Sequence, residues 1–281
     1  MNRLRIRHHT GFHYQGVVSA SYNEARMLPS STDGQLVLYS SLEIMPISSH
    51  HNYVDYWGTR VSAFEVLSPH SELSLTSNAL VEVRDRGHVN GDLDWDTLAR
   101  VAATAVKFVE QQTNTHRTQV PDEVVELARS IAGRHRVACD AAMEICTAIG
   151  NRIEYMTGVT QVHSTAAEAW AEGKGVCQDI AHVCLGALRS VGIPARYVSG
   201  YLHPKPDAEV GETVVGESHA WVEWFGGVWR GFDPTNMLDI GDRHVLVGYG
   251  RDYNDVPPLR GVYAGSSSSE LFVQVEITKE P

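Results

Sequence analysis

Along the chain, hydrophobic and polar positions change period at about residue 90. Before it, apolar and polar residues alternate in short runs. Leu4 and Ile6 interleave with Arg3, Arg5 and Arg7, and Phe12 and Tyr14 flank His13. Residues 35–39, 53–57, 61–67 and 79–83 are further short runs rich in β-formers, separated by turn-forming clusters. Strands at this spacing predict an antiparallel β-sandwich-like domain over residues 1–88. The polar, two-glycine stretch 84–94 predicts its boundary. The period then becomes helical: Leu98, Val101, Ala102, Ala105 and Val109 predict a helix over 95–111. Pro121 and the acids behind it open a second, Ala141, Ile145, Ala148 and Ile149 mark a third over 137–150, and 165–171 forms a short fourth. Residues 270–278 alternate again and predict a last strand.

The most informative stretch is 173–200. Gly173 and Gly175 predict a tight turn. From Cys177, apolar residues fall at Ile180, Ala181, Cys184, Ala187, Leu188 and Val191, one face of a helix. Gly192 stands at its C-terminal end, Pro194 forbids continuation, and a strand follows. Cys177 therefore sits in the first helical turn, where free N–H groups and the helix dipole favour a thiolate. Cys184, on the same face but away from the helix start, reads as core, and Cys139 and Cys146 as structural residues of the third helix.

A thiolate needs an oriented base. Residues 217–234 contain two strand-like runs around Phe225-Gly226-Gly227, which reads as a hairpin. A three-residue loop at 225–227 pairs 224 with 228 and so sets His219 opposite Asp233. A two-residue loop would instead set His219 against Pro234.

Composition narrows the classes. The 281 residues carry 23 Lys+Arg against 34 Asp+Glu, a net charge of −11 that disfavours nucleic acid. No apolar run reaches membrane-spanning length, so no membrane partner is expected, and the opening residues contain no apolar stretch that would serve as a secretory leader. Four cysteines without a Cys-x-x-Cys pair suggest reduced thiols in a cytoplasm and no structural zinc. The pairs His8–His9 and His50–His51 read as surface residues. There is no Asp/Asn-rich calcium loop, so neither metal nor other cofactor is expected.

Four ordered motifs carry a resemblance: Gly-Lys-Gly-Val-Cys-Gln-Asp (173–179), Gly-Ile-Pro-Ala-Arg-Tyr-Val-Ser-Gly-Tyr (192–201), Ser-His-Ala-Trp-Val-Glu (218–223) and Phe-Asp-Pro-Thr (232–235). Together they resemble the bacterial transglutaminase-like family, whose catalytic core is similar to papain-like thiol enzymes. Residues 5–14, 23–29 and 55–59 resemble the β domain preceding that core in bacterial members. The resemblance implies an α+β fold: an N-terminal antiparallel β-sandwich-like domain (1–88), a transglutaminase/papain-like core (95–262) with the nucleophile at a helix N-terminus packed on an antiparallel sheet, and a C-terminal strand (268–281).

It further implies Cys177 as nucleophile, His219 as base and ion-pair partner, and Asp233 as orienter. The expected function is acyl transfer from amide bonds of a protein or peptide substrate through a thioester, with hydrolysis favoured. The alternatives are a crosslinking protein-glutamine transamidase and a non-catalytic binding module. The Cys177 N–H is a natural oxyanion donor, with Tyr155 and Gln161 as side-chain candidates. Gln178 and Asp179 line the cleft or serve the helix start. Trp221 and Trp224 read as core before groove.

Overall fold

The computed structural model describes every residue except 86, 88–90, 217 and 267. The boundary expected at 84–94 and the Ser-rich run at 265–269 thus lie partly outside the described residues, as does Glu217 at the start of the hairpin segment.

In chain order the elements are β1 (Asn2–Val18), β2 (Ala20–Ala25), β3 (Gln35–Met45), β4 (Ser49–Val54), β5 (Arg60–Val66), β6 (His70–Val83), α1 (Trp95–Thr104), α2 (Val109–Gln112), α3 (Asp122–Ala132) and α4 (Ala138–Arg152). There follow β7 (Glu154–Tyr155), α5 (Ala166–Glu172), β8 (Lys174–Gly175), α6 (Cys177–Ser190), β9 (Ala195–Leu202), β10 (Thr213–Gly216), β11 (His219–Phe225) and β12 (Trp229–Asp233). β13 (Leu238–Asp239), β14 (His244–Gly250), β15 (Leu259–Ala264) and β16 (Ser269–Glu280) complete the chain.

Two sheets, ordered β10-β16-β1-β6-β3 and β15-β2-β5-β4, make the sandwich, and a third, β13-β12-β11-β9-β14, carries the helices. The tail strand β16 lies beside β1, with Ile277 opposite Ile6.

The long strands β1 and β6 serve two cores. Tyr14, Val18, Leu73 and Leu75 meet Met27 and Phe64 inside the sandwich. Leu4, Ile6, Val81 and Val83, a few residues away, pack on Tyr201, Val245 and Val247 of the third sheet. The other face of that sheet is covered by α6, α4 and α3 around Ile180, Ala181, Leu185, Ile145 and Trp224. α6 is buried almost all round, with Asp179, His182 and Arg189 included, because it is enclosed by sheet and helices together.

Two expectations need correction. The helix expected over 95–111 breaks at Ala105, which is extended. The break turns Phe108 into the core, its ring 4.7 Å from that of Phe225, and leaves Val106 and Val109 exposed. His8 is not a surface residue: it is 1% exposed, its Nδ1 lies 2.9 Å from the Tyr201 hydroxyl, and burial lowers its pKa to about 4. Strand alternation turns His8 inward at the junction between the sheets. His50 and His51 are exposed.

Candidate active site

Cys177 opens α6. The preceding residues are held by three devices. Gly173 ends α5 at φ +64°, a left-handed position that glycine adopts without strain. Lys174–Gly175 pairs in parallel with Glu154–Tyr155. Asp179 Oδ2 then accepts from the Val176 N–H at 2.8 Å and the Thr160 hydroxyl at 2.6 Å. Asp179 is buried, and burial, the largest influence, pushes its carboxyl up against these hydrogen bonds. A Cβ at Gly175 would lie 2.8 Å from Asp179, so only glycine fits beneath this carboxylate. Of the two readings for Asp179, the helix-start role is the one observed. Gln178 lines the cleft and donates to the Val162 carbonyl at 3.2 Å.

The hairpin forms, with a register different from the expected one. Phe225 pairs with Trp229 and Trp224 with Arg230, so the loop is 226–228, with Gly227 at φ +109°. Gly227 takes the positive-φ position at the centre of this loop, and the turn lies one residue later than expected. Glu223 consequently faces Gly231 rather than Trp229. Continuing this register sets Asp233 across from Trp221, not from His219. A loop of unchanged length moved by one residue shifts the pairing by two, which preserves the face. His219 and Asp233 therefore remain on one side of the sheet as diagonal neighbours, and His219 Nε2 lies 2.7 Å from Asp233 Oδ2.

Asp233 is fully buried and well supplied with donors. Oδ1 accepts from the backbone N–H groups of Thr235 at 3.0 Å and Asn236 at 3.2 Å, an Asx turn built by Asp-Pro-Thr-Asn. Oδ2 takes His219 and, at 2.8 Å, the Asn236 side-chain amide. His244 Nε2 stands 3.5 Å from the same oxygen, while its Nδ1 accepts from the Gly241 N–H. Burial opposes the Asp233 charge, but these hydrogen bonds, led by His219 and His244, hold the carboxyl far below the usual range. His244 is the opposite case: burial prevails over Asp233 and keeps the ring neutral.

His219 bonds to Asp233 on one side and, on the other, shares both flanking cavities with Cys177. Burial alone would lower its pKa, yet these two partners and their charges raise it to about 10. With Nε2 on the carboxylate, Nδ1 is the ring nitrogen left for the sulfur. Cys177 and His219 sit between two adjoining cavities of 380 and 210 Å³. Tyr155 borders both and Gln161 the smaller. Trp221 and Trp224 are buried in the core, as are Cys139, Cys146 and Cys184.

Residues 4–82 match the bacterial transglutaminase-like N-terminal region, and residues 125–234 match the transglutaminase-like superfamily core. An uncharacterized protein of Mycobacterium leprae is 43% identical over 281 residues, 99% of each chain. The chain belongs to the bacterial transglutaminase-like family. A second uncharacterized relative, from Mycobacterium tuberculosis, is 30% identical, with 98% of this chain and 92% of its own length covered. The crystal structure of a candidate cysteine protease from Cytophaga hutchinsonii superposes with a TM-score of 0.75 at 21% identity, covering 100% of this chain and 99% of its own. This transglutaminase-like chain therefore shares its whole mixed α+β fold, sandwich and transglutaminase/papain-like core together, with that structure.

Sequence reasoning missed His244 and Asn236 as partners of Asp233. Asn236 carried a signal, because Asp-Pro-x-Asn is a side-chain-capped turn. His244 reaches the site only through the pairing of β14 with β9, which no local pattern encodes.

Proposed function

We propose that this transglutaminase-like chain is a thiol acyl-transfer enzyme that hydrolyses amide bonds, with Cys177 as nucleophile, His219 as acid and base, and Asp233 as its orienting group. The observation that carries the reading is the His219 ring bonded at 2.7 Å to a buried carboxylate and lining the same cavities as a helix-start thiol, an arrangement that favours the charged ring. That charge state is the one a thiolate partner requires.

In this reading the Cys177 sulfur attacks the substrate carbonyl carbon. The carbonyl oxygen gains negative charge near the Cys177 N–H, which has no partner within the helix. The C–N bond breaks as His219 gives its proton to the leaving amine, and a thioester remains. A water molecule then attacks the thioester while His219 takes its proton. The C–S bond breaks, releasing a carboxylic acid and restoring thiolate and imidazolium. Water is the default acceptor because the cleft is open on both flanks of the sulfur.

The test has two parts. Iodoacetamide at neutral pH should label Cys177 ahead of the other three cysteines, and His219→Ala should slow that labelling. Equal labelling of all four would end the reading. A glutamine-containing protein supplied with a labelled amine should release ammonia or peptides without incorporating the amine. Incorporation would make the enzyme a transamidase.

A further inference from the structure

The larger cavity beside Cys177 is not built by the core alone. One wall comes from the sandwich: Val214, Val215 and Gly216 of β10, with Ile277 of β16 behind them. Leu202 and Pro204 supply the facing apolar surface. Three consecutive strand residues cannot all reach one cavity through alternating side chains, so the cavity is also bounded by the backbone edge of β10.

Among the described residues that edge is unpaired. β10 is the last strand of its sheet and, among the described strands, is bonded to β16 alone. The Lys279 N–H donates to the Glu212 carbonyl at 3.1 Å, which fixes the phase of the ladder. In antiparallel pairing, alternate residues turn their N–H and C=O toward the partner. Glu212, Val214 and Gly216 thus face β16, and Thr213 and Val215 aim their N–H and C=O outward. Val215 is 70% exposed. Among the described residues around the cavity there is no carboxylate, lysine or arginine, and its 380 Å³ suffices for a large side chain with part of its backbone.

Resting on the thiol acyl-transfer reading, we propose that the substrate is an extended polypeptide that adds as a strand to the free edge of β10, with a large uncharged apolar side chain in the Leu202–Val214–Ile277 chamber beside the amide bond attacked. The Val215 N–H and C=O supply sequence-independent hydrogen bonds, and the chamber supplies the selectivity. The sandwich is in this way a working part of the substrate site.

The test measures binding on the Cys177→Ala full-length chain, which cannot turn substrate over. Two dye-labelled, end-blocked seven-residue peptides are titrated by fluorescence anisotropy, each with a central glutamine flanked on both sides by either leucine or serine. The leucine peptide should bind at least about tenfold more tightly. Val215→Pro removes one outward N–H and no bond to β16, since proline is tolerated on a strand edge. It should weaken the leucine peptide about tenfold, whereas Val215→Thr, which keeps the N–H, should not. Leu202→Lys should erase the preference for leucine over serine, and it reads the chamber even if Val215→Pro fails to fold. Equal binding of the two peptides, no binding of either, or the same affinity in the proline and threonine variants would overturn the proposal. Iodoacetamide labelling of wild-type Cys177 tests the catalytic reading separately, so either idea can fail while the other stands.

Discussion

Replacing Asp233 by asparagine removes one charge from a fully buried carboxylate while nearly keeping its shape. The structure says which proton responds. In the wild type, burial works against the His219 imidazolium, and the hydrogen bonds and charges of Asp233 and Cys177 overcome it, raising the pKa from 6.5 to about 10. That rise corresponds to roughly 5 kcal/mol in favour of the charged ring. Without the carboxylate the burial penalty stays and only the sulfur opposes it. The His219 titration should move down by about 2 pH units. The amide also fits poorly. Both oxygens of Asp233 are acceptors, to Thr235 and Asn236 on one side and to His219, Asn236 and His244 on the other, so a –NH₂ in either position faces donors.

Stability follows with a definite pH dependence. His219 has a raised pKa, so its contribution is complete below 6.5 and is lost as pH climbs toward about 10. Asp233 has a depressed pKa, so its contribution is present above its ordinary value of 3.8 and is lost as acid protonates it. The difference between wild type and Asp233→Asn should therefore be greatest between these ordinary values, at roughly 3 kcal/mol, and should shrink on both sides. Urea unfolding at pH 3, 5.5 and 10 measures it, and histidine NMR, with His219→Gln to assign the signal, measures the titration. A His219 midpoint left near 10 in the variant, or a stability loss below about 1 kcal/mol at pH 5.5, would refute the reasoning.

Gly175→Ala should push Asp179 off the Val176 N–H, costing about 2 kcal/mol in urea unfolding, and slow iodoacetamide labelling of Cys177. An unchanged labelling rate would show that the cap does not orient the helix start. Gly226→Ala drives a methyl group into the Cys139 sulfur, so it should destabilise by about 2 kcal/mol and be partly rescued by Cys139→Ala in a double-mutant cycle. Additive losses would argue against the contact. Arg189→Met leaves the Gln111, Ala195 and Arg251 carbonyls without their buried donor and should lower stability by at least about 3 kcal/mol. A loss under 1 kcal/mol would mean that water replaces the guanidinium.

His244 adds a feature that a three-residue description of the site omits. Its Nδ1 accepts from the Gly241 N–H, so its proton sits on Nε2 and points at Asp233. Asp233 is thus approached by one histidine that is charged and one that burial keeps neutral. The neutral ring supplies a donor without competing for the negative charge, leaving the carboxylate to pair with His219. His244 stands on β14 beside Val245 and Val247, which pack against the sandwich. The packing between the two halves of the chain therefore also locates a group that touches the site.

Helix-borne and strand-borne parts of the site were unequally legible. Cys177 could be placed from a turn, a period and a stop, all within twenty residues, because a helix is local and its start is marked by its own sequence. The His219–Asp233 pair depended on where two glycines bend the chain, and that bend lies one residue later than the glycines alone suggested. The contact was nevertheless anticipated, because moving a loop without changing its length shifts strand pairing by an even number, which exchanges a direct neighbour for a diagonal one and leaves both side chains on the same face. A change in loop length would have sent Asp233 to the opposite face. What sequence could not supply is whatever depends on strands distant in the chain: β16 returning beside β1, β10 walling the cleft, and His244 arriving from β14. Each follows from packing between sheets, where apolar alternation shows that a face is buried but not against which partner. The buried ring of His8 illustrates this: its strand position gave the alternation, and only the neighbouring sheet made its face interior.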